Sequence, residues 1–284
     1  MKLPVAGPVI FDPEASATPR LRRMLTRGAA QNRYAVFFTP RSGSSWLTGI
    51  VEQSDRLGCA TEVFNPNFCR RHAQRHGIAS LDQYIDYVMR RDNRGGVFGF
   101  EITANHIHRT FGDPARFKQH FVADPAFWLI RQDIVAQAVS LAKMAATNVA
   151  QSVAASAEQR AAADAAFVYE RLAIRKSLMR IMSMERLSES WFAEWGLRPL
   201  RMSYEQITAL TPHQMLNVIA RHAGRPDVPP VDIQPRHEKL GTARNTDYAQ
   251  RFRDEQADWL APIAAERAVW LDKLDDVAGM VRDI

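Results

Sequence analysis

The chain has 284 residues, 46% of them hydrophobic and 24% charged, with no apolar run long enough for a membrane span, which bounds it to one large domain with a sizeable core. Its net charge of +6 favours polyanionic partners, a multiply phosphorylated nucleotide among them, and the absence of a Lys/Arg-rich run or aromatic–basic stripe argues against nucleic acid. Cys59 and Cys69 are too few and too far apart for a zinc site and read as free thiols; with no apolar signal-peptide core at the N-terminus, they predict a cytoplasmic, soluble protein.

Residues 1–33 are Pro-punctuated, then basic at Arg20, Arg22, Arg23 and Arg27, and read as an arm over the fold or a partly mobile tail; 34–284 read as one domain. Tyr34–Phe38 is a short aromatic and β-branched run, predicted as a buried strand, followed by a helix from about Ser44 to Ser54. Cys59–Phe64 is predicted extended, ending at the Asn65-Pro66-Asn67 turn. Leu81–Arg91 has helical spacing, and Gly95-Gly96 breaks it before a second strand at Val97–Phe100. Phe127–Ile130 is a third strand, Ile134–Met144 a helix, and the alanine-rich 145–166 a lightly packed helix. Phe167–Trp195 is a long amphipathic helix, Leu172 among its apolar positions, capped by Gly196. Leu200–Tyr204 is a fourth strand, Pro212–Ala223 a helix, 226–235 a proline-rich loop, and Tyr248–Met280 largely helical. Strands alternating with helices predict an α/β fold with a parallel sheet flanked by helices and a helical, acceptor-side elaboration at about 141–196.

The segment Thr39-Pro40-Arg41-Ser42-Gly43-Ser44-Ser45-Trp46 joins the first strand to its helix. A strand, a small-residue turn and a helix N-terminus aim backbone N–H groups and a positive dipole end at one point. Three serine hydroxyls and the planar Arg41 cation add donors. The loop has one glycine and no lysine, so it is not a Walker A motif. Arg131 ends the third strand, and Ser140 lies nine residues on, about two and a half helical turns away. Arg131 and Ser140 could converge on one phosphate; the bland alternative is an Arg131–Asp133 surface ion pair.

T-P-R-S-G-S-S-W-L resembles the 5′-phosphosulfate loop of sulfotransferases that use 3′-phosphoadenosine 5′-phosphosulfate (PAPS). R-x-D-x-V-A-Q-A-V-S, from Arg131 to Ser140, is similar to their 3′-phosphate element, most of all in the bacterial trehalose-sulfotransferase family. Lys239–Asn245, before Arg251-Phe252, resembles the loop that closes over the nucleotide. The resemblance covers 34–145 well and 236–254 loosely. It implies a P-loop-like sulfotransferase fold and sulfuryl transfer from PAPS to a hydroxyl of a carbohydrate or glycolipid, with release of 3′-phosphoadenosine 5′-phosphate (PAP), no metal, and a homodimer. It implies nucleotide contacts from Arg41, Ser42, Gly43, Ser44, Ser45, Trp46, Arg131, Ser140 and Arg244, with Arg41 stabilising the leaving phosphate. Glu62 matches the family's catalytic Glu. His106 and His108 stand where cytosolic sulfotransferases carry a histidine base, although as a pair without partners they read as hydrated surface residues. Glu101 stands where relatives have Lys. The 141–166 stretch lacks the aromatic residues with which relatives meet the sugar, so trehalose does not follow. A non-catalytic phosphonucleotide-binding protein and a small-molecule kinase are the alternative readings.

Overall fold

The computed structural model describes residues 10–148, 156–226, 228, 233–234 and 241–282. Four strands, β1 (Asn32–Phe38), β2 (Val97–Ile102), β3 (Ala126–Ile130) and β4 (Leu200–Ser203), form one sheet in the order β2-β1-β3-β4, and every pairing is parallel. The predicted α/β sheet flanked by helices is what the chain adopts.

Both faces of the sheet are covered, which is why its strands read as continuous apolar runs rather than alternating ones. Ala35, Phe37, Phe100, Trp128 and Ile130 point into one core; Tyr34, Val36, Phe38, Phe127 and Leu129 point into the other. The larger core is built with helix Arg171–Trp195 and the smaller with helices Ser44–Ser54 and Pro212–His222. Gly99 is required by close approach: a Cβ there would sit 2.2 Å from the Tyr34 ring, whose hydroxyl donates to the Leu57 carbonyl at 2.9 Å.

Several boundaries differ from expectation for local physical reasons. In the described part of 1–33, of the two readings an arm over the fold fits the packing: helix Pro19–Leu25, capped by Thr18, buries Leu21 against helix Leu81–Arg91. Cys59–Phe64 is not extended. Gly58 and Ala60 adopt left-handed backbone, and only Thr61 bridges to Phe100. The long helix begins at Arg171, because Glu170 turns its carboxylate onto the N–H groups of Leu172 and Ala173; Leu172 is exposed. The alanine-rich stretch is interrupted: helix Ile134–Thr147 stops at left-handed Asn148, and helix Ala157–Ala166 starts at a Ser156 capping box. The C-terminal helical region is three pieces, Ala243–Glu255, Ala257–Leu271 and Gly279–Arg282. Most of the proline-rich loop, and Lys239-Leu240, lie outside the described residues. No described helix is long and apolar enough to cross a membrane.

Candidate active site

Arg41 follows β1, Arg131 follows β3 and Tyr204 follows β4, so parallel strands deliver all three to one edge of the sheet. That carboxyl edge is where open α/β sheets bind ligands. The loop is held by its backbone. Gly43 precedes helix Ser44–Ser54 at φ 91°, and no side chain caps that helix end. The first N–H groups therefore stay available for an anion. A Cβ on Gly43 would come within 2.4 Å of the Tyr204 ring, so the position excludes any other residue. Arg41 is also left-handed, at φ 70°, a strained conformation of the kind stored at functional sites. Buried Gln137, from helix Ile134–Thr147, clamps the loop by donating to Thr39 Oγ1 and the Pro40 carbonyl, both at 2.9 Å.

Arg41 brings the two predicted anchors together. Its Nε donates to Ser140 Oγ at 3.0 Å, and burial, then the charge of Arg131, hold its guanidinium below its ordinary pKa. Arg131 stacks over the Tyr204 ring at 4.9 Å, with Glu205 at 3.8 Å. The alternative Arg131–Asp133 pair does not form: Asp133 caps helix Ile134–Thr147 and takes two bonds from Arg253. Among the described residues, Ser42 Oγ and Arg131 Nε are buried without a hydrogen-bond partner. Buried polar atoms normally have partners. Two guanidiniums, an uncapped helix start and two orphaned donors fit a ligand carrying several anionic oxygens.

Arg131 is itself held by a residue that no motif announced. Arg267, from helix Ala257–Leu271, is buried and donates to the carbonyls of Arg131 at 2.6 Å and Gln132 at 2.9 Å. Its Nε donates to Glu185 at 2.9 Å, and both partners of that ion pair are almost fully buried. Ser44 is buried and Ser45 half-buried, while Trp46 packs on the smaller core. Arg244 is not brought to the loop. Its guanidinium donates to the carbonyls of Asp164, Ala165 and Phe167, tying the start of helix Ala243–Glu255 to the end of helix Ala157–Ala166.

Two cavities open here, and Arg41 and Met144 line both. One, of about 200 Å³, runs past Ser140, Lys143, Arg160 and Thr242. The other, of about 280 Å³, holds Ser44, Ser45, Glu62 and His106. Burial raises the Glu62 carboxyl above its ordinary range, and a hydrogen bond from Asn65 Nδ2, at 3.1 Å, partly offsets this. His106 is buried, not a hydrated surface residue, and burial, then the charges of Arg109 and Arg180, push it down to about 3. The Thr103 N–H donates to His106 Nδ1 at 3.4 Å, within a capping box. The neutral ring therefore carries its hydrogen on Nε2, which faces Glu62 Oε2 at 3.6 Å. As held, Nε2 can donate toward Glu62 and cannot accept a proton. His108 packs on Trp191 instead and is not among the residues lining the cavity.

Glu101 lies beneath the loop. The single hydroxyl hydrogen of Thr48 faces the Ala60 carbonyl at 3.0 Å and Glu101 Oε1 at 2.5 Å. Both contacts are hydrogen bonds only when Glu101 carries a proton. Burial first, and the charge of Glu62 with it, raise its pKa to about 8. A carboxyl raised in this way binds a proton in the folded but not the unfolded chain between about pH 4.5 and 8, so folding loses stability as pH rises through that window. Glu101→Gln is expected to remove that loss. Melting temperatures from pH 6.5 to 8 should fall less steeply in the variant than in the parent, and parallel profiles would show that Glu101 is ionised throughout.

No curated protein matches the chain. A family model described as Stf0 sulphotransferase matches residues 33–255, a span that carries the loop, Glu62, Glu101, Arg131, Ser140 and Arg244 but ends before Arg267. The chain belongs to the Stf0 sulphotransferase family.

Proposed function

We propose that the protein transfers a sulfuryl group from PAPS to a hydroxyl of a carbohydrate or glycolipid. The observation that carries this reading is the position of Arg41, which lines both cavities and reaches Ser140 from the loop. A donor bound along the strand ends would set its 5′-phosphosulfate against the Gly43–Trp46 helix start and its 3′-phosphate between Arg131 and Ser140. PAPS supplies an activated S–O bond to its 5′-phosphate. That bond breaks as the acceptor oxygen bonds to sulfur from the opposite side, and PAP leaves with the extra negative charge.

The residues have two tasks. Arg41 and the loop donors meet charge as it grows on the leaving phosphate, a preorganised stabilisation of about 3 kcal/mol per donor. Arg41 cannot give up a proton at neutral pH, so its part is charge stabilisation. Glu62 takes the proton of the acceptor hydroxyl, and its raised pKa suits a base working near neutrality. His106, fixed as the Nε2–H tautomer, orients Glu62 rather than competing with it. Calorimetric titration with PAP, with ATP–Mg²⁺ and AMP as controls, tests the reading: PAP binds, and neither control displaces it.

A further inference from the structure

Arg109 and Arg180 are cations of the Glu62 cavity that the donor reading does not use. Arg109 lies in the π-helical turn Ile107–Phe111, three residues after His106, and Arg180 on helix Arg171–Trp195. Both are exposed, both line the cavity, and both act by charge on the His106 ring. Neither makes a hydrogen bond or ion pair with another described residue. Glu62 is the only carboxylate among the lining residues, and burial and Asn65, not these arginines, govern its titration. The remaining polar lining on that side is neutral, chiefly Asn65, Asn67 and Asn105. In the proposed reading, Arg41 and Arg131, with the helix start, already serve the anionic groups of the donor.

An acceptor entering this cavity displaces water from two guanidiniums. A neutral sugar would leave both without a counter-charge, and desolvating an unpaired charge is costly. An anionic group would pair with both, and guanidinium geometry suits two-point contact with carboxylate or phosphate. We propose that the acceptor is itself an anion: a sugar-sized, hydroxyl-bearing molecule whose carboxylate or phosphate group is held by Arg109 and Arg180 while its hydroxyl faces Glu62. This deepens the sulfuryl-transfer reading and rests on it.

The test is calorimetric titration of the PAP-loaded full chain with glucose, glucuronate, methyl glucuronate ester and glucose 6-phosphate. The same titrations are run on Arg109→Gln/Arg180→Gln; both side chains are exposed, so the variant leaves the core intact. Glucuronate or glucose 6-phosphate is expected to bind at least about tenfold more tightly than glucose and the neutral ester. Added salt should shrink that advantage and the double variant should abolish it, with PAP affinity unchanged. The two anions distinguish a carboxylate acceptor from a phosphate acceptor. Equal binding of neutral and anionic sugars, no saturable binding of either anion, or a preference that survives in the double variant would each overturn the proposal. So would a loss of PAP affinity in the double variant, which would assign the arginines to the donor. A parent protein that binds no PAP fails differently, because it removes the donor reading itself.

Discussion

Arg267→Met is expected to lower the unfolding free energy by about 3–5 kcal/mol, the usual cost of leaving one partner of a buried ion pair uncompensated. For a chain of this size that corresponds to a drop on the order of 10 °C in melting temperature. Glu185 would be stranded, since it is wholly buried and Arg267 Nε and Nη2 are both bonded to it. The Arg131 carbonyl would lose its donor at the same time, while the Gln132 carbonyl would keep only the Ile134 N–H. Thermal denaturation of the variant measures the loss. Replacing the pair together, as Glu185→Leu/Arg267→Met, should recover most of it, because the isolated buried charge is then gone. Recovery should be incomplete, because the Arg131 carbonyl remains unsatisfied. A single variant that melts like the parent would mean that Arg267 neither neutralises Glu185 nor secures the end of β3.

The second large effect is on turnover. Glu62→Gln keeps the size of the side chain and its hydrogen bond to Asn65 but cannot accept a proton. Turnover is expected to fall by about 10²–10⁴-fold, the usual contribution of a general base, with PAP affinity unchanged. His106→Ala should cost less, because its Nε2 already carries a hydrogen and only the orientation of Glu62 is lost. PAP release from PAPS in the presence of acceptor measures both. Retained turnover in Glu62→Gln, or a larger loss in His106→Ala, would reverse the two roles.

The loop side of the candidate site was legible because it is local. The β1–loop–helix segment spans Asn32–Ser54 without interruption, and its turn chemistry, the single glycine of its loop and the helix start are written in consecutive residues. Arg131 and Ser140 were legible as a spacing, although not the bond that Ser140 accepts from Arg41, 99 positions away. What sequence reading missed is long-range. Arg267 meets the Arg131 carbonyl across 136 positions and carries no motif, since one arginine on a helix resembles any other. The burial of His106 had a faint local sign: Thr103 three residues before it is a capping spacing, which fixes the ring against the backbone. Glu101 was legible only as a departure from the Lys of relatives, because its raised pKa comes from burial and from the charge of Glu62, which only the fold supplies. Arg109 and Arg180 come from separate elements, and only the fold sets them at one cavity.

The most direct test of the central claim is calorimetric titration of the parent and of Arg131→Ala with PAP. The account predicts tight, metal-independent PAP binding that Arg131→Ala weakens by at least about tenfold, as expected for a lost charge-assisted contact to phosphate. Binding of ATP–Mg²⁺ in preference to PAP, or PAP binding indifferent to Arg131, would contradict it.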